Sequence, residues 1–560
     1  MFKWNANNII LATNGKKIGH CNWICSGVST DTRNIKKGDL FIALKGKNFD
    51  GHNFLYEAFS KGASASIVSE DKCKDLPLIA VKDTLKALHD MASYYIRNVL
   101  RSAKVIAITG SVGKTTTKDM LHTVLSQYGL AHANDGNLNN NIGLPLTVLK
   151  APENCRYLIL EMGMNRAGEI KELSKLCNPD IAVITNVEPA HTENFSSLFD
   201  IAQAKLEVLH GLKSNGTLIL NKDSEYYDYL LNFLLQNHYL SEKPVSNLGV
   251  IPVRDTGIQQ RRNMDPSSQA TWMTESDETD LLSVSFQRVK LESKKKERWI
   301  PVSSTGMTEG DVIDLSTTDK LKNIVTFGRH QDAAVCLLDL RRSNGLSLKI
   351  RLSSNQTVNC NLNVQGEHFA YSVLAVAAVV QSLGLDLSKL PLALENFNVT
   401  KGRGNAYSTK YDGKQIYLID DSYNASPASM KAAIKVLGTY IGKRRVALLG
   451  DMLELGDESI KFHIELLEVI LRHNINKVYT VGKFMLELHK LLPSNIKGIH
   501  FDDSNQLKDD LTKIIQNDDV ILVKGSRGMK MELIPNLINP SGGLINKVEI
   551  GNTGFFDCIE

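Results

Sequence analysis

The chain has 560 residues, 42% of them hydrophobic, with 65 lysines and arginines against 61 acidic residues. Its length exceeds what one ordinary core supports and predicts three or four units of roughly 100 to 200 residues each. The net charge of +4 gives no field that would favour nucleic acid or an acidic membrane as a partner. We therefore expect a multidomain globular protein that binds neither.

The cysteines and the apolar stretches bear on cellular location. None of the eight cysteines forms a C-x-x-C pair, and the closest two, Cys21 and Cys25, have no second pair to complete a zinc site. They are interpreted as reduced thiols. The amino-terminal residues lack the long apolar centre of a signal peptide, and the most apolar stretch, 373–385, is shorter than the ~20 residues of a membrane span. These features predict a cytoplasmic protein.

The first 102 residues predict a small α/β domain. They contain the strand-like "GDLFIALKG" and end in the helical pattern "TLKALHDMASYYIRNVL". Residues 103–399 predict a central domain, in which the apolar runs "KVIAITG", "RYLILEMG", "DIAVITNV" and "GTLILN" alternate with amphipathic segments. Such alternation is typical of a parallel sheet with helices on both faces.

Residues 241–320 interrupt this pattern, because they are rich in charge, Ser and Thr and show little helical periodicity. We interpret them as an inserted, mostly disordered segment. The alternative is a small basic binding hairpin around "VKLESKKKERWI" (289–300).

The third unit, 400–540, again alternates strand with helix and predicts a Rossmann-like α/β domain. Its polar loops follow strand ends, where open parallel sheets bind ligands. The tail, 541–560, carries no interpretable signal.

The stretch "AITGSVGKTTTKDM" (107–120) indicates a phosphate-binding loop between a strand and a helix. Gly110 and Gly113 would let the backbone approach phosphate oxygens, Lys114 would meet the β- and γ-phosphates, and Thr115 would offer its hydroxyl to Mg²⁺. The common nucleotide loop, G-x-x-x-x-G-K-[ST], has a glycine where this chain has Ile108. The match is therefore either accidental or a shorter variant of the loop.

Two polar residues follow neighbouring strand-like runs of the central domain. Glu161 ends "RYLILE", and His191 lies in "NVEPAHTENFSS". A carboxylate and an imidazole at strand ends suit a Mg²⁺ site near the loop. Either could instead be a polar residue satisfied by its neighbours.

The variant "TGSVGKTTT" resembles the ATP loop of the Mur ligase family, which includes folylpolyglutamate synthases. The resemblance spans nearly the whole chain apart from 241–320 and the tail. Further motifs occur in the family's order, namely "STDTRNIKKGDLFIALKGKNFDGHNF", "GNLNNNIGLPLTVL", "ILEMGMN", "IAQAKLEVL", "DDSYNASPASM", "LLGDMLELG" and "VKGSRGMKME". Alone, "SYNASP" could be a turn initiator and "KGSRG" a solvated basic turn.

This resemblance implies roles for individual residues. The catalytic residues would be Lys114, Glu161, His191 and Lys205, and the last three would hold Mg²⁺ with Thr115. The nucleotide would contact Gly110, Ser111, Val112, Gly113, Lys114, Thr115, Thr116 and Asn424. The substrate would contact Thr30, Asp31, Thr32, Arg33, Asn141 and Arg527, and the segment that holds the first four (29–54) resembles the part of the family that binds a UDP-sugar. One departure concerns adenine, because Phe369 and Ser372 stand where the family usually has Asn.

The resemblance also implies the reaction. With ATP and Mg²⁺ as cofactors, a monomeric ligase would activate UDP-MurNAc-tripeptide as an acyl phosphate and join it to D-Ala-D-Ala. A ligase adding a single diamino acid is the alternative, but its Asp-Asn-Pro-Arg signature is absent. A folylpolyglutamate synthase would lack the UDP-binding domain. A nucleotide-binding regulatory protein without turnover is the remaining alternative.

Lys205 has three interpretations, since an ammonium among Mg²⁺ ligands would repel the ion. It could be a plain surface lysine, it could pair with substrate phosphate, or it could be carbamylated, as the similar lysine is in several Mur ligases. A carbamate would supply the oxygen ligands that Mg²⁺ prefers.

Overall fold

The computed structural model describes residues 2–20, 22–69, 75–189, 192–237, 286–289, 298–301, 323–342 and 345–540. The chain divides into two compact units, residues 251–319 and the remainder. In the remainder, three large sheets lie one in each of the ranges proposed as domains, 1–102, 103–399 and 400–540.

The amino-terminal sheet has five strands. The elements of this part are β1 Trp4–Asn5, α1 Ala6–Thr13, β2 Lys16–Ile18, β3 Ile24–Cys25, β4 Gly27–Ser29, β5 Asp39–Ile42, α2 Leu55–Ser60, β6 Ala65–Val68, β7 Leu78–Ala80 and α3 Thr84–Asn98. The strand order is β2-β7-β6-β5-β4, parallel except for β2, and β1 pairs with β3 separately. The Asp83 carboxylate accepts from the first amides of α3, so the predicted helix begins where a capping side chain stands.

The central sheet has nine strands. Its first elements are β8 Lys104–Thr109, α4 Lys114–Leu125, β9 Ala131–Ala133, α5 Gly143–Lys150, β10 Tyr157–Glu161, α6 Glu169–Cys177, β11 Ile181–Ile184, α7 Leu198–Leu206, β12 Thr217–Asn221 and α8 Tyr227–Gln236. The inserted unit contains an antiparallel pair, β13 Phe286–Val289 and β14 Arg298–Pro301. The domain continues with β15 Asn323–Gly328, β16 Val335–Arg342, β17 Leu346–Arg351, β18 Thr357–Leu362, α9 His368–Ser382 and α10 Leu390–Glu395.

The strand order of the central sheet places the nucleotide loop. The order is β18-β17-β16-β15-β12-β11-β8-β10-β9. The strands from β9 to β16 are parallel, whereas the pairs β16-β17 and β17-β18 are antiparallel. Every residue of β10, β11 and β12 is buried, as expected for strands covered on both faces. The most apolar stretch of the sequence forms most of α9, which packs on α4 and on the sheet.

The carboxy-terminal sheet has six strands. Its elements are β19 Asn405–Tyr411, β20 Lys414–Asp421, α11 Pro427–Gly438, β21 Arg445–Gly450, α12 Ser459–Ile464, α13 Leu466–Arg472, β22 Lys477–Val481, α14 Met485–Leu491, β23 Lys497–Phe501, α15 Ser504–Asp509, α16 Leu511–Ile514, β24 Val520–Lys524 and α17 Leu533–Ile538. The order is β19-β20-β24-β21-β22-β23, parallel except for β19, and the apolar side chains form two separate core clusters.

These elements confirm the predicted α/β fold with a parallel central sheet. The five described cysteines are free and buried, while Cys21, Cys73 and Cys558 lie outside the described residues. None of the helices in the described ranges has the length and apolar character of a membrane span.

Two paired strands, β13 and β14, overlap the stretch 289–300 that was the alternative basic hairpin. Most of residues 241–320 lies outside the described residues, so the disorder of this segment stays a prediction.

We expect deletion of residues 250–315 to preserve turnover, because a segment so rich in charge, Ser and Thr buries too little apolar area to offset its ordering entropy. Turnover and thermal unfolding of the shortened chain would test this. Loss of folding or of substrate affinity would make the segment a functional element.

Candidate active site

The nucleotide loop is fixed against the end of β11. Gly110 has φ +146° and Gly113 has φ +85°, conformations that favour glycine. A Cβ at Gly110 would lie 2.0 Å from Thr185 Oγ1, so no side chain fits there. Thr185 Oγ1 donates to the Val112 carbonyl (2.6 Å), and the Ser111 amide donates to the Asn186 carbonyl (2.9 Å). The shorter loop is thus a rigid connection between β8 and α4.

Lys114, the first residue of α4, folds back over this loop. Its Nζ donates to the Gly110 carbonyl (2.7 Å) and the Ser111 carbonyl (3.2 Å). Burial lowers the pKa of Lys114; the Glu161 carboxylate opposes that shift, and the Arg403 guanidinium adds to it. Lys114 therefore lies near a carboxylate of its own domain and a cation of the carboxy-terminal domain.

Thr115 and Glu161 meet beside Lys114. Glu161, only 2% exposed, accepts from Thr115 Oγ1 (2.8 Å) at Oε2 and from Asn139 Nδ2 (2.7 Å) at Oε1. Its backbone amide donates to Asn134 Oδ1 (2.7 Å). Two asparagines that sequence reasoning missed therefore hold the carboxylate and its backbone in place.

Asn141, the asparagine expected from the sequence, lies elsewhere. Its side chain is exposed, and its backbone carbonyl pairs with His89 Nε2 of α3 (2.6 Å). Its role in substrate binding stays a proposal, while Asn139 in the same run is the residue that contacts Glu161.

We expect Asn139→Ala to weaken Mg²⁺ activation by about 10- to 100-fold, the usual effect of losing a partner that orients a metal-binding carboxylate. The measurement is turnover as a function of Mg²⁺ concentration. Asn137→Ala, in the same loop but exposed, is the matched control. An Asn139→Ala curve that overlays that of the control would contradict the assignment.

Lys205 is buried near Lys114. It is 2% exposed, which rules out a plain surface lysine. Burial lowers its pKa well below the usual range for lysine, and the positive charge of Lys114 lowers it further. No hydrogen bond or ion pair to its ammonium joins it to another of the described residues. His191, the remaining expected catalytic residue, lies outside the described residues.

The expected carboxy-terminal residues lie at the ends of β20 and β24. Asn424 is exposed, and its carbonyl accepts from Lys524 Nζ (2.9 Å). The same ammonium, on a side chain only 2% exposed, pairs with Asp421 Oδ2 (2.6 Å). Arg527 is exposed and donates to the Tyr423 hydroxyl oxygen (3.0 Å). Lys524 and Tyr423 were not expected from the sequence.

The amino-terminal residues form a turn of their own. Thr30 precedes Asp31, whose carboxylate caps the turn Thr32–Asn34 and accepts from the Arg33 amide (2.9 Å) and guanidinium (2.6 Å). The hydrogen bonds from Arg33 lower the pKa of Asp31. Within the described ranges no hydrogen bond joins this turn to the nucleotide loop. A role in UDP binding stays a proposal.

Both unusual residues of α9 are buried, and Ser372 lies at the contact of α9 with α4. Phe369 is fully buried, and Ser372 Oγ accepts from Thr117 Oγ1 (3.2 Å). Ser372 thus binds the helix that follows the nucleotide loop, while Thr116 of the same helix is half-buried.

Comparison with known proteins agrees with this arrangement. Three family models match: "Mur ligase family, catalytic domain" at residues 25–96, "Mur ligase middle domain" at 108–244, and "Mur ligase, glutamate ligase domain" at 402–527.

Individual relatives match over most of their length. A UDP-N-acetylmuramoyl-tripeptide–D-alanyl-D-alanine ligase of Rickettsia prowazekii is 31% identical, covering 95% of this chain and 98% of that protein. The enzyme of that name in Bacillus subtilis is 32% identical, with 91% and 92% covered. The crystal structure of MurF from Acinetobacter baumannii has a similar fold, with a TM-score of 0.73, 24% identity, and 96% and 99% covered. The chain belongs to the Mur ligase family.

Proposed function

We propose that the chain is an ATP-dependent ligase that joins D-Ala-D-Ala to UDP-MurNAc-tripeptide in peptidoglycan precursor synthesis. The names of the relatives support the substrates, and the site supports the chemistry. The observation that carries the proposal is the group of Lys114, Thr115 and Glu161 on one rigid loop and its neighbouring strand end. Arg403 of the carboxy-terminal domain lies near Lys114, so a phosphoryl group there would meet cations from two domains.

The chemistry needs two displacements. A carboxylate resists attack by an amine until its oxygen becomes a good leaving group. Transfer of the γ-phosphoryl group to the tripeptide carboxylate releases ADP and forms an acyl phosphate. The amine of D-Ala-D-Ala then attacks the acyl carbon, phosphate leaves, and the amine proton is lost. Lys114 would contribute charge neutralisation to the first displacement, and the loop would contribute placement.

The residues present fit Mg²⁺. Thr115 and Glu161 offer hard oxygen ligands 2.8 Å apart. Within the described ranges, no three His, Cys, Asp or Glu side chains are grouped as a metal site. Thr115 and Glu161 would therefore hold the ion together with nucleotide oxygens and waters, the usual arrangement for Mg²⁺. When bound, the ion would neutralise charge on the transferring phosphoryl group.

Lys205 would complete the site as a carbamate. Its burial and the charge of Lys114 both favour the neutral amine, the form that reacts with CO₂. The product is an anion with two oxygens, which Mg²⁺ prefers over an ammonium. Direct pairing of Lys205 with substrate phosphate is the alternative.

The remaining expected contacts complete the proposal. Thr30, Asp31, Thr32, Arg33 and Asn141 would hold the UDP-sugar peptide, Asn424 the nucleotide and Arg527 the substrate. The three domains, 1–102, 103–399 and 400–540, would each bind mainly one of the three substrates.

Phosphate release tests the function. Release from ATP should require UDP-MurNAc-tripeptide and D-Ala-D-Ala together. Release that either substrate alone supports, or a product with a single added amino acid, would contradict the proposal.

A further inference from the structure

Tyr423 lies against two arginines from different parts of the carboxy-terminal domain. The guanidinium carbon of Arg403 lies over the Tyr423 ring, 4.0 Å from its centroid, and that of Arg527 lies 5.2 Å from the same centroid. Arg527 also donates to the Tyr423 hydroxyl oxygen (3.0 Å). A guanidinium group can only donate hydrogen bonds, so the hydroxyl oxygen serves as its acceptor. One aromatic side chain thus contacts both cations.

Backbone contacts fix this arrangement. The Tyr423 amide donates to the Gly402 carbonyl (2.9 Å), and the Gly404 amide donates to the Asp420 carbonyl (2.8 Å). Gly402 has φ +78°, and a Cβ there would lie 3.3 Å from the Tyr423 amide nitrogen. Arg403 is therefore held between two backbone links, opposite the ring of Tyr423.

Two guanidinium groups near one ring repel each other. The negative face of an aromatic ring offsets part of that repulsion, and an anion placed between the cations would offset more. Arg527 is exposed and Arg403 half-buried, so both remain accessible to a ligand. The segment that carries Arg403 contacts the helix of the nucleotide loop, since Thr400 Oγ1 donates to Asp119 Oδ2 of α4 (2.5 Å). Arg403 also lies close enough to Lys114 for the two charges to interact. We therefore consider an anion held by that loop.

We propose that Tyr423 is a positioning residue that holds Arg403 and Arg527 as a pair for the phosphoryl group that passes from the bound nucleotide to the substrate carboxylate, so that Arg527 meets the substrate where it accepts that group. The inference rests on the proposed nucleotide site. It assigns Tyr423 no chemical step, because the ring acts through the two guanidinium groups. Without the ring, each arginine would regain rotamer freedom and the pair would lose its geometry.

Equilibrium binding tests the proposal without turnover. Affinities for ADP and for a non-hydrolysable ATP analogue are measured with Mg²⁺ on the full chain. We expect Tyr423→Leu to reduce the preference for the analogue over ADP by about tenfold, within the range of cation–π contacts, while ADP affinity stays unchanged. Tyr423→Phe, which keeps the ring and loses the hydroxyl acceptor, should show a smaller reduction.

A double-mutant cycle separates positioning from a structural effect. Tyr423→Leu combined with Arg527→Ala should reduce the preference by less than the product of the two single effects, since both remove the same pair. Tyr417→Leu is the matched control, because Tyr417 lies on β20, the strand that precedes Tyr423, and its ring contacts a lysine (Lys443 Nζ, 5.2 Å from the ring centroid) rather than the two arginines.

The outcomes are distinguishable. An unchanged preference in Tyr423→Leu, or an equal loss of affinity for both nucleotides, overturns the role of Tyr423 and leaves the nucleotide site standing. A wild-type chain that binds neither nucleotide overturns the nucleotide site, and the role of Tyr423 with it.

Discussion

Lys114→Ala is expected to lower turnover by at least ~10³ while leaving the fold intact, because it removes charge stabilisation from the transferring phosphoryl group. Among the described residues, the hydrogen bonds of the Lys114 ammonium go to two carbonyls of its own loop, so we expect its loss to leave the sheet and its helices folded. The measurement is phosphate release under saturating substrates, with circular dichroism as the test of folding.

Lys104→Ala is the matched control for this prediction. Lys104 begins β8, the strand that ends at the loop, but its exposed ammonium pairs with Asp180 (3.4 Å). Exposed ion pairs contribute little to stability, so this variant should keep wild-type turnover. Turnover of Lys114→Ala within tenfold of wild type would show that the loop assignment is wrong.

Lys205→Ala is expected to lose most activity, and a small added carboxylate should restore part of it by occupying the oxygen positions of the carbamate. Lys205→Arg should be as inactive as Lys205→Ala, because arginine keeps a positive charge and cannot form the carbamate. Both follow from a buried lysine whose pKa burial and Lys114 hold well below its usual range.

Turnover of the two variants, with and without added formate or acetate, tests this prediction. Lys213→Arg serves as the control substitution. Lys213 forms an ion pair with Asp180 (2.9 Å), which arginine can also form, so this variant should keep its activity. An active Lys205→Arg variant would exclude the carbamate and favour direct pairing with phosphate.

The sequence predicted the parallel strands at the centre of the second domain because each is an apolar run that can be recognised from local composition, whereas the antiparallel strands β17 and β18 were not predicted. The runs that became β8, β10, β11 and β12 are apolar between their end residues, as expected of strands covered on both faces. The loop after β8 was recognisable too, since two glycines, a lysine and a threonine stand between a strand and a helix.

The residues that support the catalytic groups could not be predicted from local sequence patterns. In the run of three asparagines, Asn139 donates to the Glu161 carboxylate, whereas Asn141 contacts His89 through its backbone carbonyl. This difference depends on the conformation of the folded loop. Tyr423 and Arg527 are brought together by the pairing of β20 with β24, strands about a hundred residues apart in the chain, and Arg403 is brought to them by the backbone hydrogen bonds of Gly402 and Gly404. No periodicity reports such a pairing, so these contacts appear only in the folded chain.

The pairing of β12 with β15 has a consequence for how this protein can be engineered. Thr217, the first residue of β12, pairs with Asn323, the first residue of β15. After the inserted segment, the chain therefore re-enters the central sheet at the edge formed by the amino ends of its parallel strands. The nucleotide loop follows the carboxyl ends of the strands, at the opposite edge. The point of re-entry thus lies at the edge away from the nucleotide loop, and we expect a fluorescent or affinity module inserted ahead of β15 to leave that loop intact.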